Sequence, residues 1–246
     1  MGGAALSGLR LTILADNNAG PGGLTALWGF SALVETGDLT ILFDTGSNGR
    51  VLLKNMAALG VDPGSVDTVF LSHADWDHLG GLDSVLEAAP DATVVLHGGF
   101  SKRLIGDLRG LCREVVVVGP EPCRIAPGVF STGMLEGPPA EQALVLQTGA
   151  VTALVTGCAH PGVVHLAERG VSLLEGPVRW VIGGLHLMES SEEKITAAVR
   201  ALQDLGVTDV VPTHCSGDAA VAAFGRAYGS RCVPGGVGRS IDLPLS

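Results

Sequence analysis

Leu71-Ser72-His73-Ala74-Asp75-Trp76-Asp77-His78-Leu79-Gly80-Gly81 places four metal-competent side chains within six residues. The apolar run Val69-Phe70-Leu71 before them reads as the end of a buried strand, and Gly80-Gly81 as the tight entry to a helix. A strand end followed by a glycine turn aims several side chains at one point outside a sheet. Imidazole nitrogens and carboxylate oxygens together suit zinc, iron or manganese. Two carboxylates and two imidazoles this close are stable together when a cation sits between them. A plain polar loop ordinarily supplies one histidine, not a cluster of four ligands.

Outward from this stretch, 246 residues with 46% hydrophobic and 16% charged side chains predict one well-filled domain spanning 1–246. The net charge of −10 argues against a nucleic-acid or anionic-membrane surface. No apolar run approaches the roughly 20 residues that span a bilayer, and Met1 to Arg10 does not read as a signal peptide. The five cysteines are scattered, without a C-x-x-C pair, which predicts reduced thiols and a cytoplasmic setting.

Upstream, Leu9–Ala15 reads as a strand, 16–23 as a loop of turn formers, and Trp28–Glu35 with Leu39–Phe43 as a hairpin about Gly37-Asp38. Antiparallel strands at the start argue against a purely doubly wound sheet. Asp44 closes the hairpin, as a helix cap or as an acceptor for a metal-bound histidine. Residues 50–59 read as a helix and 66–71 as the strand that delivers the cluster, with a helix over 82–89, a strand over 92–96 and a helix over 100–108 behind it. Lys102 and Arg103 then stand at a helix start after two glycines, where an anionic group can bind. Glu114–Gly119 is a further strand, and 119–139 carries five prolines and reads as a loop with short strands over one edge.

A second hairpin, 142–147 with 151–156, mirrors the first. It is followed by helix 163–174, strand 178–182, helix 191–205, strand 207–211 and helix 218–228, then a tail to Leu245 with an edge strand. Two hairpin-containing halves, each followed by β-α alternation, predict two sheets face to face with helices outside.

One pattern recurs: buried strand, then Gly or Pro, then histidine. It delivers His73 with His78, His160, His186 and His214, five of the seven histidines, to strand ends where α/β proteins gather their sites. His97 also ends a strand and is a second choice. Cys158 competes with His160 for the third position, and His160 is preferred; His165 lies one helical turn on and reads as a plain helix face.

These residues resemble the metallo-β-lactamase superfamily, whose mark is a strand followed by H-x-H-x-D-H. Here that stands as His73-Ala74-Asp75-Trp76-Asp77-His78, with Phe43-Asp44-Thr45-Gly46 matching an earlier D-T-G turn. Trp28–Glu35, Thr156–Gly162, Ile182–His186 and Thr213–Gly217 are similar to one subgroup, the 7,8-dihydropterin-6-methyl-4-(β-D-ribofuranosyl)aminobenzene 5′-phosphate synthase-like proteins. The resemblance runs from about residue 13 to 217. It implies an α/β fold, a four-layer αββα sandwich, with two divalent ions, zinc first and iron or manganese as alternatives. It assigns His73, Asp75 and His160 to one metal and Asp77, His78 and His214 to the other, with His186 a further ligand or a substrate-facing acid. Asp75 replaces the second histidine of the motif, as in the flavodiiron branch, and shifts preference toward iron or manganese. Cys158 stands where many members carry an aspartate that bridges the metals.

The expected function is therefore a metal-dependent hydrolase of an ester, lactone or phosphoester, with Asp77 and His186 as catalytic residues. Its substrate is a small molecule, a phosphorylated one included. The subgroup implies an alternative, a transferase condensing a pterin-methyl diphosphate with an aminobenzene ribofuranosyl phosphate. A diiron redox centre, suggested by Asp75, and a non-catalytic metal-binding protein are the other classes.

Overall fold

Each apolar run becomes a strand, and their pairing order builds two sheets. The structure is a computed structural model describing residues 8–149, 151–174 and 176–243. The readings placed on Met1–Ser7, on Ala150 in the second hairpin turn and on the tail from Pro244 lie outside these described residues. The first half runs β1 (Leu9–Ala15), β2 (Ser31–Thr36), β3 (Thr40–Phe43), α1 (Gly49–Ala58), β4 (Thr68–Phe70), α2 (Trp76–Leu79), α3 (Leu82–Ala88), β5 (Thr93–His97), α4 (Lys102–Leu108) and β6 (Glu114–Val118). The second runs β7 (Cys123–Ala126), β8 (Val129–Ser131), β9 (Leu144–Gln147), β10 (Thr152–Thr156), α5 (Val163–Leu174), β11 (Trp180–Gly184), α6 (Glu192–Asp204), β12 (Asp209–Thr213), α7 (Asp218–Tyr228) and β13 (Ser240–Asp242).

One sheet has the order β13-β1-β2-β3-β4-β5-β6 and the other β12-β11-β10-β9-β8-β7. In each, antiparallel hairpins give way to parallel strands, β3 to β6 in the first and β10 to β12 in the second, joined through helices. The edge strand expected in the tail is β13, antiparallel to β1.

Alternation along the strands sorts side chains into three apolar layers. Ile13, Phe30, Phe43 and Phe70 from one sheet meet Leu144, Val155, Ile182 and Val211 from the other. On the outer faces, Leu42, Val69 and Leu96 pack beneath helices contributing Leu52, Met56 and Val85, while Leu154 and Val181 pack beneath Leu166, Leu202 and Phe224. The result is the αββα sandwich. Strand β10 is buried at every residue because both its faces are covered. No helix among the described residues is long and apolar enough to cross a membrane.

Several boundaries shift from the sequence reading, β11 and β12 each beginning two residues later than expected, and two of the shifts have a visible setting. The strand expected from Trp28 begins at Ser31, because the Phe30 N–H donates to the Asp77 carbonyl at 3.1 Å instead of joining a ladder. The strand expected over 66–71 shortens to Thr68–Phe70, although the Leu71 N–H still donates to Val95 at 2.8 Å. The short α2, unread in the sequence, occupies the centre of the ligand cluster.

Candidate metal centre

The parallel strands of both sheets end at one edge of the sandwich, so the histidines converge from two sheets rather than from one. His73 follows β4; His160, His186 and His214 follow β10, β11 and β12. Asp75 caps α2, and the single turn of that helix carries Asp77 and His78. Among the described residues, four non-glycines adopt left-handed backbone: Asp44 (φ 53°), Ala159 (φ 62°), His186 (φ 51°) and His214 (φ 52°). All four lie in the loops of this edge. Such backbone costs energy that packing elsewhere must offset, and it collects at functional sites.

Asp44 sets the orientation of two imidazoles. Its Oδ1 accepts the Ser72 N–H at 2.7 Å, and its Oδ2 accepts the Ser72 hydroxyl at 2.6 Å and the His78 Nδ1–H at 2.7 Å. Because the Ser72 hydroxyl donates to Asp44, its oxygen accepts the Nδ1–H of His73 at 2.8 Å. Both rings thus hold a proton on Nδ1 and turn Nε2 inward, as second-sphere carboxylates arrange for metal-ligating histidines. His214 is set likewise, through its Nδ1 to Asn17 Oδ1 at 2.7 Å.

The donors gather in two groups. Asp75 Oδ2 lies 3.6 Å from His73 Nε2 and 3.4 Å from His160 Nε2. Asp77 Oδ2 lies 3.7 Å from His78 Nε2 and 3.4 Å from His214 Nε2. These are the two trios named from the resemblance. The Nε2 atoms of His73 and His160 are buried without a hydrogen-bond partner, which is costly unless another species occupies the space between them. The donor set fits divalent metal ions on that ground.

Cys158 and His160, read as competitors, both face the centre. Left-handed Ala159 between them reverses the chain so that both side chains point inward. Cys158 Sγ lies within 4.8 Å of the donor atoms of His73 and His160 and likewise of those of His78 and His214, so it stands between the two trios. His186 sits apart from them. Its ring is exposed, 4.3 Å from that of His160, and it groups with Cys158 and Cys215. His97 is buried behind the site with its Nδ1 accepting the Gly99 N–H, and burial pushes it down to about 4. Lys102 and Arg103 are exposed on α4, Arg103 beside Asp107, and neither lines a cavity at the site; the anion reading for them is not supported by their position.

Electrostatics follow the geometry. Burial opposes a charge on His73, but Asp75, Glu141 and Asp44 outweigh it and raise the imidazole to about 9. The His73 contact lowers Asp75. Burial opposes ionisation of Asp77, yet its contacts with His214 and His78 hold it well below the usual carboxylate range. Burial lowers His160, whereas the neighbouring Cys215 raises His186.

Two site residues carried no sequence signal beyond their type. Asn17 lies in a loop of turn formers 197 residues from the histidine it orients. Glu141, wholly buried, accepts the N–H groups of Gly157, Cys158 and Ala159 on Oε1 and that of His160 on Oε2, at 2.8 to 3.1 Å. It thereby holds the whole Cys158–His160 loop. Replacing Glu141 by alanine leaves four buried N–H groups without their acceptor, and should cost about 3 kcal/mol or more. In a chain of this size the melting temperature should fall by roughly 6–12 °C, read by circular dichroism, and an unchanged value would refute this role.

The family profile described as the Metallo-beta-lactamase superfamily matches residues 25–214. A Methanocaldococcus jannaschii protein named 7,8-dihydropterin-6-methyl-4-(beta-D-ribofuranosyl)-aminobenzene-5'-phosphate synthase is 27% identical, over 85% of this chain and 88% of its own length. Tm1679, described as a metal-dependent hydrolase of the beta-lactamase superfamily, is 27% identical and superposes with a TM-score of 0.78 over 96% of this chain and 99% of its own. The Bacillus subtilis metallo-beta-lactamase fold protein YhfI, at 16% identity and a TM-score of 0.71, covers 96% of this chain and 99% of its own and shares the fold.

Proposed function

The chain belongs to the metallo-beta-lactamase superfamily, and from that premise we propose that it is a metal-dependent hydrolase of an ester, lactone or phosphoester. The observation that carries this reading is the pair of donor trios about Asp75 and Asp77, with the buried Nε2 atoms of His73 and His160 left without partners. His73, Asp75 and His160 would hold one divalent ion and Asp77, His78 and His214 a second, with Cys158 between them. Two ions so placed supply Lewis-acid polarisation of a substrate oxygen and an activated water at neutral pH.

The chain's own residues do the rest. Asp44 and Asn17 fix the imidazoles before substrate arrives, so no reorganisation is needed on binding. Asp77, ionised and half-buried, orients the attacking water by accepting its proton's hydrogen bond. His186, exposed and with a raised proton affinity, is placed to hand a proton to the leaving group. Thiolate and imidazole donors favour zinc, and the carboxylate of Asp75 keeps iron and manganese in range. The whole chain, 1–246, is read as one catalytic domain for a small-molecule substrate.

The M. jannaschii relative favours a second reading, a transferase joining a pterin-methyl diphosphate to an aminobenzene ribofuranosyl phosphate. In that case the same donors would hold the leaving diphosphate.

Elemental mass spectrometry on untagged protein, paired with turnover of bis(4-nitrophenyl) phosphate, tests the proposal. Close to two equivalents of zinc or manganese are expected, with kcat lost by about a thousandfold in Asp77→Asn. Two equivalents of iron with a visible absorption band would move the assignment to redox chemistry. No metal after reconstitution would overturn it.

A further inference from the structure

Two cavities open beside the site and share a wall. One, of about 290 Å³, lies between α5 and α6 and is lined by Val163, Val164, Leu185, Leu187, Ala198 and Ala201, with His160 and His186 at its inner end. The other, of about 340 Å³, is walled by Trp28 and Met188, with Glu189 and Ser190. His186 and Lys194 line both.

Lys194 stands in the first turn of α6, where the helix dipole disfavours a cation and where the neighbouring Glu192 and Glu193 are the natural occupants. Helix stability therefore does not account for it. Nor does an ion pair, since Lys194 makes none among the described residues. It is exposed, in a chain of net charge −10, at the seam between the two cavities. Apart from the imidazoles of His160, His165 and His186 and the Lys194 ammonium, the first cavity is walled by aliphatic carbon, so it suits an aromatic ring or a short acyl chain. An ammonium beside an apolar cleft is the usual recognition of an anion carried on an apolar body.

We infer that Lys194 is a specificity-determining residue that selects an anionic substrate, carboxylate or phosphate, whose apolar limb lies in the cavity between α5 and α6. This inference rests on the hydrolase reading, and it names the class of molecule that the site takes. Lys194 holds the anion while His186, beside it, meets the reacting group.

Isothermal titration of the metal-loaded protein with phenylphosphonate, phenylacetate and the neutral phenylacetamide tests it, the two anions separating phosphate-type from carboxylate recognition. Lys194→Met should weaken at least one anionic probe about tenfold and leave phenylacetamide unchanged, while Lys194→Arg retains most of the affinity. Ala201→Phe should weaken phenylphosphonate and spare methylphosphonate, which has no limb to place. With an anionic phenyl ester as substrate, Lys194→Met should raise KM with little change in kcat, a split that a merely structural lysine would not give. Equal affinity of wild type and Lys194→Met for both anions, or no binding of either by the wild type, would overturn the inference. The function proposed above stands or falls separately, on metal content and phosphodiester turnover. Two bound ions with turnover indifferent to Lys194 would remove the inference alone, whereas Lys194-dependent anion binding by a protein that takes no metal would remove the hydrolase reading alone.

Discussion

Cys158→Ala is expected to reduce bound metal from two ions to one or fewer and to weaken the remaining ion at least about a hundredfold. The thiol stands among four imidazoles, 3.3 Å from His78 Nε2 and within 4.8 Å of the donors of His73, His160 and His214. Removing it leaves both trios complete but takes away the donor that stands between them. The vacancy cannot be filled from the loop, because Glu141 pins the backbone of residues 157 to 160. Cys158→Asp should recover the second ion, since a carboxylate also bridges, and should shift preference from zinc toward manganese or iron. Cys215→Ala is the control. Cys215 lies behind Cys158, its Sγ 3.5 Å from the Cys158 carbonyl oxygen, and contacts with Cys158, His186 and His214 hold it well down. Its loss should leave both ions in place. Elemental analysis and the sulfur-to-metal absorption of the cobalt-substituted protein read the difference. Two ions bound to Cys158→Ala with undiminished affinity would remove the thiol from the centre.

Much of this arrangement was legible in the sequence because it is local. Helices 163–174 and 218–228 have the limits expected from their apolar spacing, and the helix expected over 191–205 forms as α6 with Ser191 as its cap. The motif from His73 to His78 is compact enough for residue types alone to point to a metal. What the sequence withheld depends on contacts between distant segments. Glu141 precedes a strand and gives no hint that its carboxylate gathers four N–H groups from a loop 16 to 19 residues away. Asn17 looks like any turn former until His214 is brought against it. That Cys158 and His160 both face the centre could not be read from the chain, because a left-handed Ala159 is invisible in a sequence where glycine is the usual occupant of that backbone. Gly157, next to it, is required for a different reason: a Cβ there would run into the Ser72 hydroxyl and crowd Asp44 Oδ2. The sequence points to Lys102 and Arg103 rather than to Lys194, which lines the cleft, since a glycine-helix junction is a sequence pattern and a cavity wall is not.

The metal-free protein should lose stability as pH rises from 6.5 to 9.5, and the metal-loaded protein should not. In the metal-free protein His73 is raised to about 9 from an unfolded value of 6.5. A group raised on folding contributes stability that is complete below 6.5 and disappears as pH rises through about 9. The contribution is up to about 3 kcal/mol, so the melting temperature without metal should fall between pH 6.5 and 9.5. The lowered carboxyls of Asp75 and Asp77 contribute stability that fails only in acid, outside this window. Metal binding needs the Nε2 lone pair of His73 and must displace its proton, so apparent affinity should weaken about tenfold for each pH unit below 9. Because that gain in affinity offsets the loss of metal-free stability, the melting temperature of metal-loaded protein at fixed free zinc should stay nearly level over the interval in which the metal-free protein loses it. Calorimetric titration in buffers of different ionisation enthalpy should show about one proton released per site at pH 7. In His73→Gln the fall in metal-free stability should shrink, and the proton release should drop by about one. Parallel pH profiles with and without metal would mean that His73 carries no proton that the ion must displace.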